Sequence, residues 1–191
     1  MNWETLLFLG DSITNGARSY LSFPEYAGNF LQVKTDKLWN IINLSENGIT
    51  TIDLLRLTSR NYSSLQSENP ALTIILIGTN DAKKNTAEKE FTIAYNQLII
   101  KAKLLSQNKQ VLLVKIPLLQ KGIMLPYETE MNKNITGYNL IIDQLAAIHK
   151  CPVLEMKYSE TDFYDGVHLN TEGAESFGTQ LSEFILNKRG L

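Results

Sequence analysis

Short runs of uninterrupted apolar residues alternate along this chain with longer stretches in which apolar residues return every three or four positions. The short runs predict strands over 5–9, 40–44, 72–77 and 111–116, with a brief fifth at 153–154. The third and fourth are almost wholly Ile, Leu and Val, as strands covered on both faces should be. The longer stretches predict helices over 24–33, 51–60, 86–106, 131–149 and 171–187. Within 86–106, Phe91, Tyr95, Leu98, Ala102 and Leu105 form one apolar stripe at helical spacing. Thr136 and Thr171 are expected to cap helices. Strand and helix alternate with no repeat, linker or low-complexity segment, which predicts one α/β domain over 1–191, built on a mostly parallel, doubly wound sheet.

In such a sheet ligands bind beyond the carboxyl ends of the strands. The residues that follow the first three predicted strands are Gly10-Asp11-Ser12, Ser45-Glu46-Asn47-Gly48 and Gly78-Thr79-Asn80-Asp81. These small polar loops should meet on one edge. A fourth polar segment, Asp165-Gly166-Val167-His168, lies near the C-terminus. An Asp three residues before a His can fold back on a turn, accept the ring N–H and leave the other ring nitrogen free as a base.

Composition narrows the partner. Apolar residues make up 43% and charged residues 20% of 191 residues, and the formal net charge is -2. This balance disfavours nucleic acid and anionic membranes and leaves a small or neutral molecule as substrate. Cys151 is the only cysteine, so no intrachain disulfide can form, and it reads as an inert buried residue. No window reaches the ~18 continuous apolar residues of a membrane span. The N-terminal stretch has no basic n-region, and cytoplasmic residence is the expectation.

A serine hydroxyl becomes a useful nucleophile only beside a base that is itself oriented by a third group. Ser12, His168 and Asp165 can fill those three roles. Each also has a plainer reading: Ser12 as a helix cap, and Asp165 with His168 as a turn contact. His149, the only other histidine, falls at a helix end beside Lys150, where it reads as a surface residue compensating the helix dipole. Acyl transfer further needs donors aimed at the developing oxyanion. The Ser12 N–H, the Gly48 N–H and the uncharged NH₂ of Asn80 would make a three-donor hole. The plainer readings are a turn for Gly48 and an Asx-type cap for Asn80. Asp11 reads as a buried acceptor of loop amides, and Asp81 as a cap or loop brace.

Taken in order, Gly10-Asp11-Ser12, Gly48 within Asn47-Gly48-Ile49, Gly78-Thr79-Asn80-Asp81 and Asp165-Gly166-Val167-His168 resemble the first, second, third and fifth blocks of the GDSL lipase and esterase family, also called SGNH hydrolases. The four letters of the latter name fall on Ser12, Gly48, Asn80 and His168. The first block departs from the pattern by carrying Ile13 in place of Leu, a conservative change. The resemblance implies a flavodoxin-like three-layer α/β/α sandwich with a five-stranded sheet and a serine esterase that needs no cofactor or metal. It also implies an acyl-enzyme on Ser12, His168 as base and then acid, Asp165 as its orienting carboxylate, and Ser12, Gly48 and Asn80 in the oxyanion hole.

The substrate expected is a small-molecule ester, with a short acyl group such as acetyl on a small molecule or sugar. The same residues also serve an acyltransferase, or a lysophospholipase or thioesterase. A non-catalytic carbohydrate-binding relative should have lost at least one of them. A nucleotide-binding protein should carry a Walker lysine or a GxGxxG run, and neither is present. Ile49, Phe163 and Tyr164 adjoin the site residues and are candidate pocket walls. The irregular, apolar segment 117–130, with Leu118, Leu119, Ile123, Met124, Leu125 and Tyr127, is compatible with an acyl-pocket flank, a homodimer contact or packing over the sheet.

Overall fold

The computed structural model describes residues 3–121 and 127–187, so Ile123, Met124 and Leu125 of the apolar segment lie outside the described residues. Five strands, β1 (Trp3–Gly10), β2 (Leu38–Ser45), β3 (Leu72–Leu76), β4 (Val111–Val114) and β5 (Val153–Leu154), form one sheet in the order β2-β1-β3-β4-β5. Every neighbouring pair is parallel. Parallel neighbours cannot be joined by a hairpin, so each connection must cross a face of the sheet, and helices supply the crossings. They are α1 (Ser12–Asn15), α2 (Phe23–Lys34), α3 (Thr51–Arg60), α4 (Tyr62–Ser67), α5 (Thr79–Lys83), α6 (Glu88–Leu105) and α7 (Asn132–His149), and α8 (Thr171–Asn187) follows the last strand.

Successive strand side chains point to opposite faces, and the apolar residues sort into two cores accordingly. Leu7, Leu9, Ile75 and Leu113 pack with Leu54 of α3, Phe91 and Tyr95 of α6, and Tyr138 and Ile142 of α7. Their neighbours Leu6, Phe8, Ile74 and Leu112 pack with Phe23 and Leu31 of α2 and Phe177 and Leu181 of α8. This is the expected three-layer α/β/α sandwich. Each fully buried Leu or Phe contributes roughly 1.5–3 kcal/mol relative to an exposed one, so the two cores hold the loops at the sheet edge rigidly.

Two capping expectations are corrected. Thr136 lies inside α7, and its hydroxyl donates to the Asn132 carbonyl one turn back. Thr171 is already helical, and Asn170 before it accepts the Gly173 N–H at 2.8 Å, so the amide oxygen is the cap. The short helices α1, α4 and α5 were not expected, and the helix at 86–106 begins two residues later, at Glu88. With this strand order, the chain leaves β1 toward one face and β3 toward the other. The crevice between those two strands is the topological switch point, where the polar loops converge.

Candidate active site

β1 ends at Gly10, where a tight turn leads at once into α1. A side chain at Gly10 would lie 2.0 Å from the Thr14 hydroxyl and 2.8 Å from the Leu76 carbonyl, so only glycine lets α1 fold back against β3. Asp11 caps α1 by accepting the Ile13 N–H at 3.0 Å. The turn is tied to its neighbours by Asn43, whose amide donates to the Thr14 carbonyl at 3.0 Å, and by Asn15, which donates to Asn47 at 3.0 Å. Ser12 therefore starts α1 from a braced turn and is 5% exposed.

Asp165 begins the turn that presents His168. Its Oδ1 accepts the N–H groups of Val167 at 3.0 Å and His168 at 2.8 Å, and its Oδ2 lies 2.8 Å from His168 Nδ1. His168 Nε2 lies 3.0 Å from Ser12 Oγ, across 156 positions of sequence. Burial opposes ionisation of Asp165, but the His168 backbone and ring N–H groups and the Val167 N–H outweigh it, and its pKa falls below the ordinary carboxylate value. An anionic Asp165 accepts from Nδ1–H and leaves the Nε2 lone pair facing the serine hydroxyl. Arg18, stacked over the Tyr164 ring with its Cζ 5.7 Å from the centroid, places its Nε 3.9 Å from Asp165 Oδ2.

Across the crevice, Gly48 sits in the loop after β2 at φ +79°, and a side chain there would meet no atom of the described residues within 4 Å. Its N–H and that of Ser12 find no acceptor among the described residues. Asn80, in α5 after β3, does not cap that helix. Instead its Nδ2 donates to the Ile49 carbonyl at 3.0 Å and its Oδ1 accepts the Tyr127 hydroxyl at 2.8 Å, which leaves the second amide hydrogen uncommitted. Asp81 is the brace expected of it: one oxygen accepts the Thr51 N–H at 2.8 Å and the Thr51 hydroxyl at 3.0 Å, tying the third loop to α3.

The sequence profile of the GDSL-like Lipase/Acylhydrolase family matches residues 8–175, which span all four polar loops. The chain belongs to this family. It is thus an ester-hydrolysing enzyme. The fold agrees with that of a lipase/acylhydrolase from Enterococcus faecalis, at 21% identity and a TM-score of 0.76 over 97% of this chain and 96% of that one. The acetylxylan esterase Axe2 from Geobacillus stearothermophilus matches at 18% identity and 0.71, over 98% and 94%. The psychrotrophic esterase EstA from Pseudoalteromonas sp., inhibited by monoethylphosphonate in its structure, matches at 20% identity and 0.71, over 98% and 100%. No curated protein sequence matches the chain.

Several residues around this acylhydrolase site differ in environment from the sequence expectation. Phe163 is buried in the α2/α8 core, where it meets the Tyr158 ring edge-on at 5.5 Å. Ile49 packs partly against the other core, and Tyr164 is exposed. His149 is corrected as well. Burial and the nearby Lys103 hold its pKa down, its ring bonds Asn96 at 2.7 Å, and the charge at the end of α7 is that of Lys103, which donates to the His149 carbonyl. Burial raises the Cys151 thiol pKa and keeps it neutral, in line with an inert role, although the side chain is only partly buried. Among the described residues no cluster of His, Cys, Asp or Glu could hold a metal ion, and no helix is long and apolar enough to cross a membrane. Arg18 is a site neighbour that sequence reasoning missed, since it does not stand in a polar loop after a strand, and Tyr127 was singled out only as part of the apolar segment, without its bond to Asn80.

Proposed function

We propose that this acylhydrolase is a serine esterase that removes a short acyl group, such as acetyl, from a small molecule or sugar through an acyl-enzyme on Ser12. The observation that carries the reading is the unbroken series Ser12 Oγ to His168 Nε2 at 3.0 Å and His168 Nδ1 to Asp165 Oδ2 at 2.8 Å. As Ser12 Oγ attacks the ester carbonyl, its proton passes to Nε2, and Asp165 stabilises the imidazolium that forms. The carbonyl oxygen becomes an oxyanion within reach of the Ser12 and Gly48 N–H groups and the free Asn80 amide hydrogen. Collapse breaks the bond to the alkoxy group, which takes the proton from Nε2. Water then gives a proton to Nε2 and attacks the acyl carbon, and Ser12 Oγ leaves with that proton. These steps call on no cofactor or metal.

The short acyl group is supported by likeness in fold to enzymes named as acetylxylan esterases. A panel of acetyl, butyryl and octanoyl p-nitrophenyl esters with an acetylated sugar tests it. kcat/KM should fall as the acyl chain lengthens, and a rise toward octanoyl would overturn the short-acyl reading. Adding an alcohol acceptor separates hydrolysis from acyl transfer. Free acid should dominate, whereas a new ester as the main product would make the enzyme a transferase.

A further inference from the structure

Asn80 is gripped from two sides. Its Nδ2 donates to the Ile49 carbonyl at 3.0 Å, while Tyr127, 47 positions away on the segment between β4 and α7, donates its hydroxyl to Oδ1 at 2.8 Å. Reversing the amide would set two acceptors, Oδ1 and the Ile49 carbonyl, against each other, so this pair of bonds permits one orientation. The Tyr127 ring is 6% exposed, and the ammonium of Lys83, on the same short helix as Asn80, lies 4.9 Å from its centroid. Burial, with added repulsion from Asp11 and Asp165, raises the phenol pKa further, so the hydroxyl stays protonated and must donate.

We propose that Tyr127 is a positioning residue for the oxyanion hole, holding the Asn80 amide plane so that its free N–H faces the developing oxyanion. The inference rests on the serine-esterase reading of the site. The terminal torsion of an asparagine side chain is broad, and one bond to Ile49 leaves the amide free to swing about it. The second bond removes that freedom. It also draws electron density toward Oδ1, which makes the remaining N–H a stronger donor, an effect of about 10–30% per bond in condensed phase. The segment after β4 is thereby joined to catalysis without touching substrate, which adds a role to the pocket flank, dimer contact or packing considered for it.

Tyr127→Phe keeps the ring, its packing and the Lys83 contact and deletes only the hydroxyl. Turnover of p-nitrophenyl acetate is measured for wild type, Ser12→Ala, Tyr127→Phe, Asn80→Ala and the Tyr127→Phe/Asn80→Ala double variant, each below its unfolding midpoint. Tyr127→Phe should lower kcat by about 10-fold with KM within about two-fold, the pattern of a lost transition-state interaction. Asn80→Ala should lower it by about 10²–10³. On the Asn80→Ala background, Tyr127→Phe should cost nothing further, because it acts through Asn80 alone. Wild-type kcat in Tyr127→Phe, a rise in KM at unchanged kcat, or a full additional 10-fold loss in the double variant would each overturn the proposal. Retained turnover in Ser12→Ala would instead overturn the serine-esterase reading, and this inference with it.

Discussion

Two aspartates flank Ser12 and His168, and they begin from the same local geometry. Asp11 accepts the N–H of Ile13 at 3.0 Å, and Asp165 accepts the N–H of Val167 at 3.0 Å, each bond reaching two residues along a turn. From there they part. Burial works against the ionisation of Asp165, but the His168 backbone and ring N–H groups outweigh it, and its pKa falls. Asp11 is 1% exposed, and its Oδ2 has no hydrogen-bond partner among the described residues. Burial raises its pKa to about 7, the Ile13 N–H working against that rise and the charge of Asp81 adding to it. Depth of burial and the His168 ring beside Asp165, not sequence context, decide which carboxylate is the anion next to the histidine.

The largest effect should come from Asp165. Asp165→Asn keeps the shape of the turn but presents an amide to Nδ1, favouring the wrong imidazole tautomer, and kcat should drop by roughly 10⁴ as in the serine-protease case. A loss under 10-fold, read from steady-state kinetics, would show that His168 does not need its carboxylate.

Asp11 should act on stability instead. Its folded pKa, about 7, lies above the unfolded value of 3.8, so the folded chain holds a proton that the unfolded chain has released between those limits. Stability is therefore greatest below pH 3.8 as far as this group is concerned, and it is lost as pH rises through about 7. Between pH 5 and pH 8 the loss amounts to roughly 2–3 kcal/mol. Asp11→Asn preserves a capping oxygen for Ile13 and removes the titration. Denaturant melts at the two pH values should show the variant gaining on wild type by that amount at the higher pH. Parallel curves would mean that Asp11 ionises normally.

Arg18 should give the smallest change. Its guanidinium is about half exposed and 3.9 Å from Asp165, a distance at which water screens most of the attraction. Arg18→Gln should alter kcat/KM on a neutral ester by about two- to three-fold. A loss above 50-fold would place Arg18 on the substrate.

The contrast between the two aspartates was only half legible in the sequence. Spacing alone paired Asp165 with His168, because an Asx turn is local, and the apolar runs located the strands that carry Ser12, Gly48 and Asn80. The orphaned oxygen of Asp11 was hidden, since nothing along the chain says which amides reach a buried atom. The bond from Tyr127 to Asn80 was hidden for a related reason: it joins segments that meet only after β3 and β4 pair. The helices α1, α4 and α5 have at most six residues, less than two turns, and so show no periodicity to detect. The core packing of Phe163 was hidden too, because its backbone bridge to Leu169 forms only once the Asp165 turn has closed.

In the proposed mechanism Ser12 Oγ is the atom that bonds to the acyl carbon. The most direct test is intact-protein mass spectrometry after treatment with a p-nitrophenyl alkylphosphonate, with tandem sequencing of the labelled peptide. Wild type should gain one phosphonyl group on Ser12 and lose turnover in step with labelling, while Ser12→Ala should gain none. Label on another residue, or equal labelling of Ser12→Ala, would contradict the account.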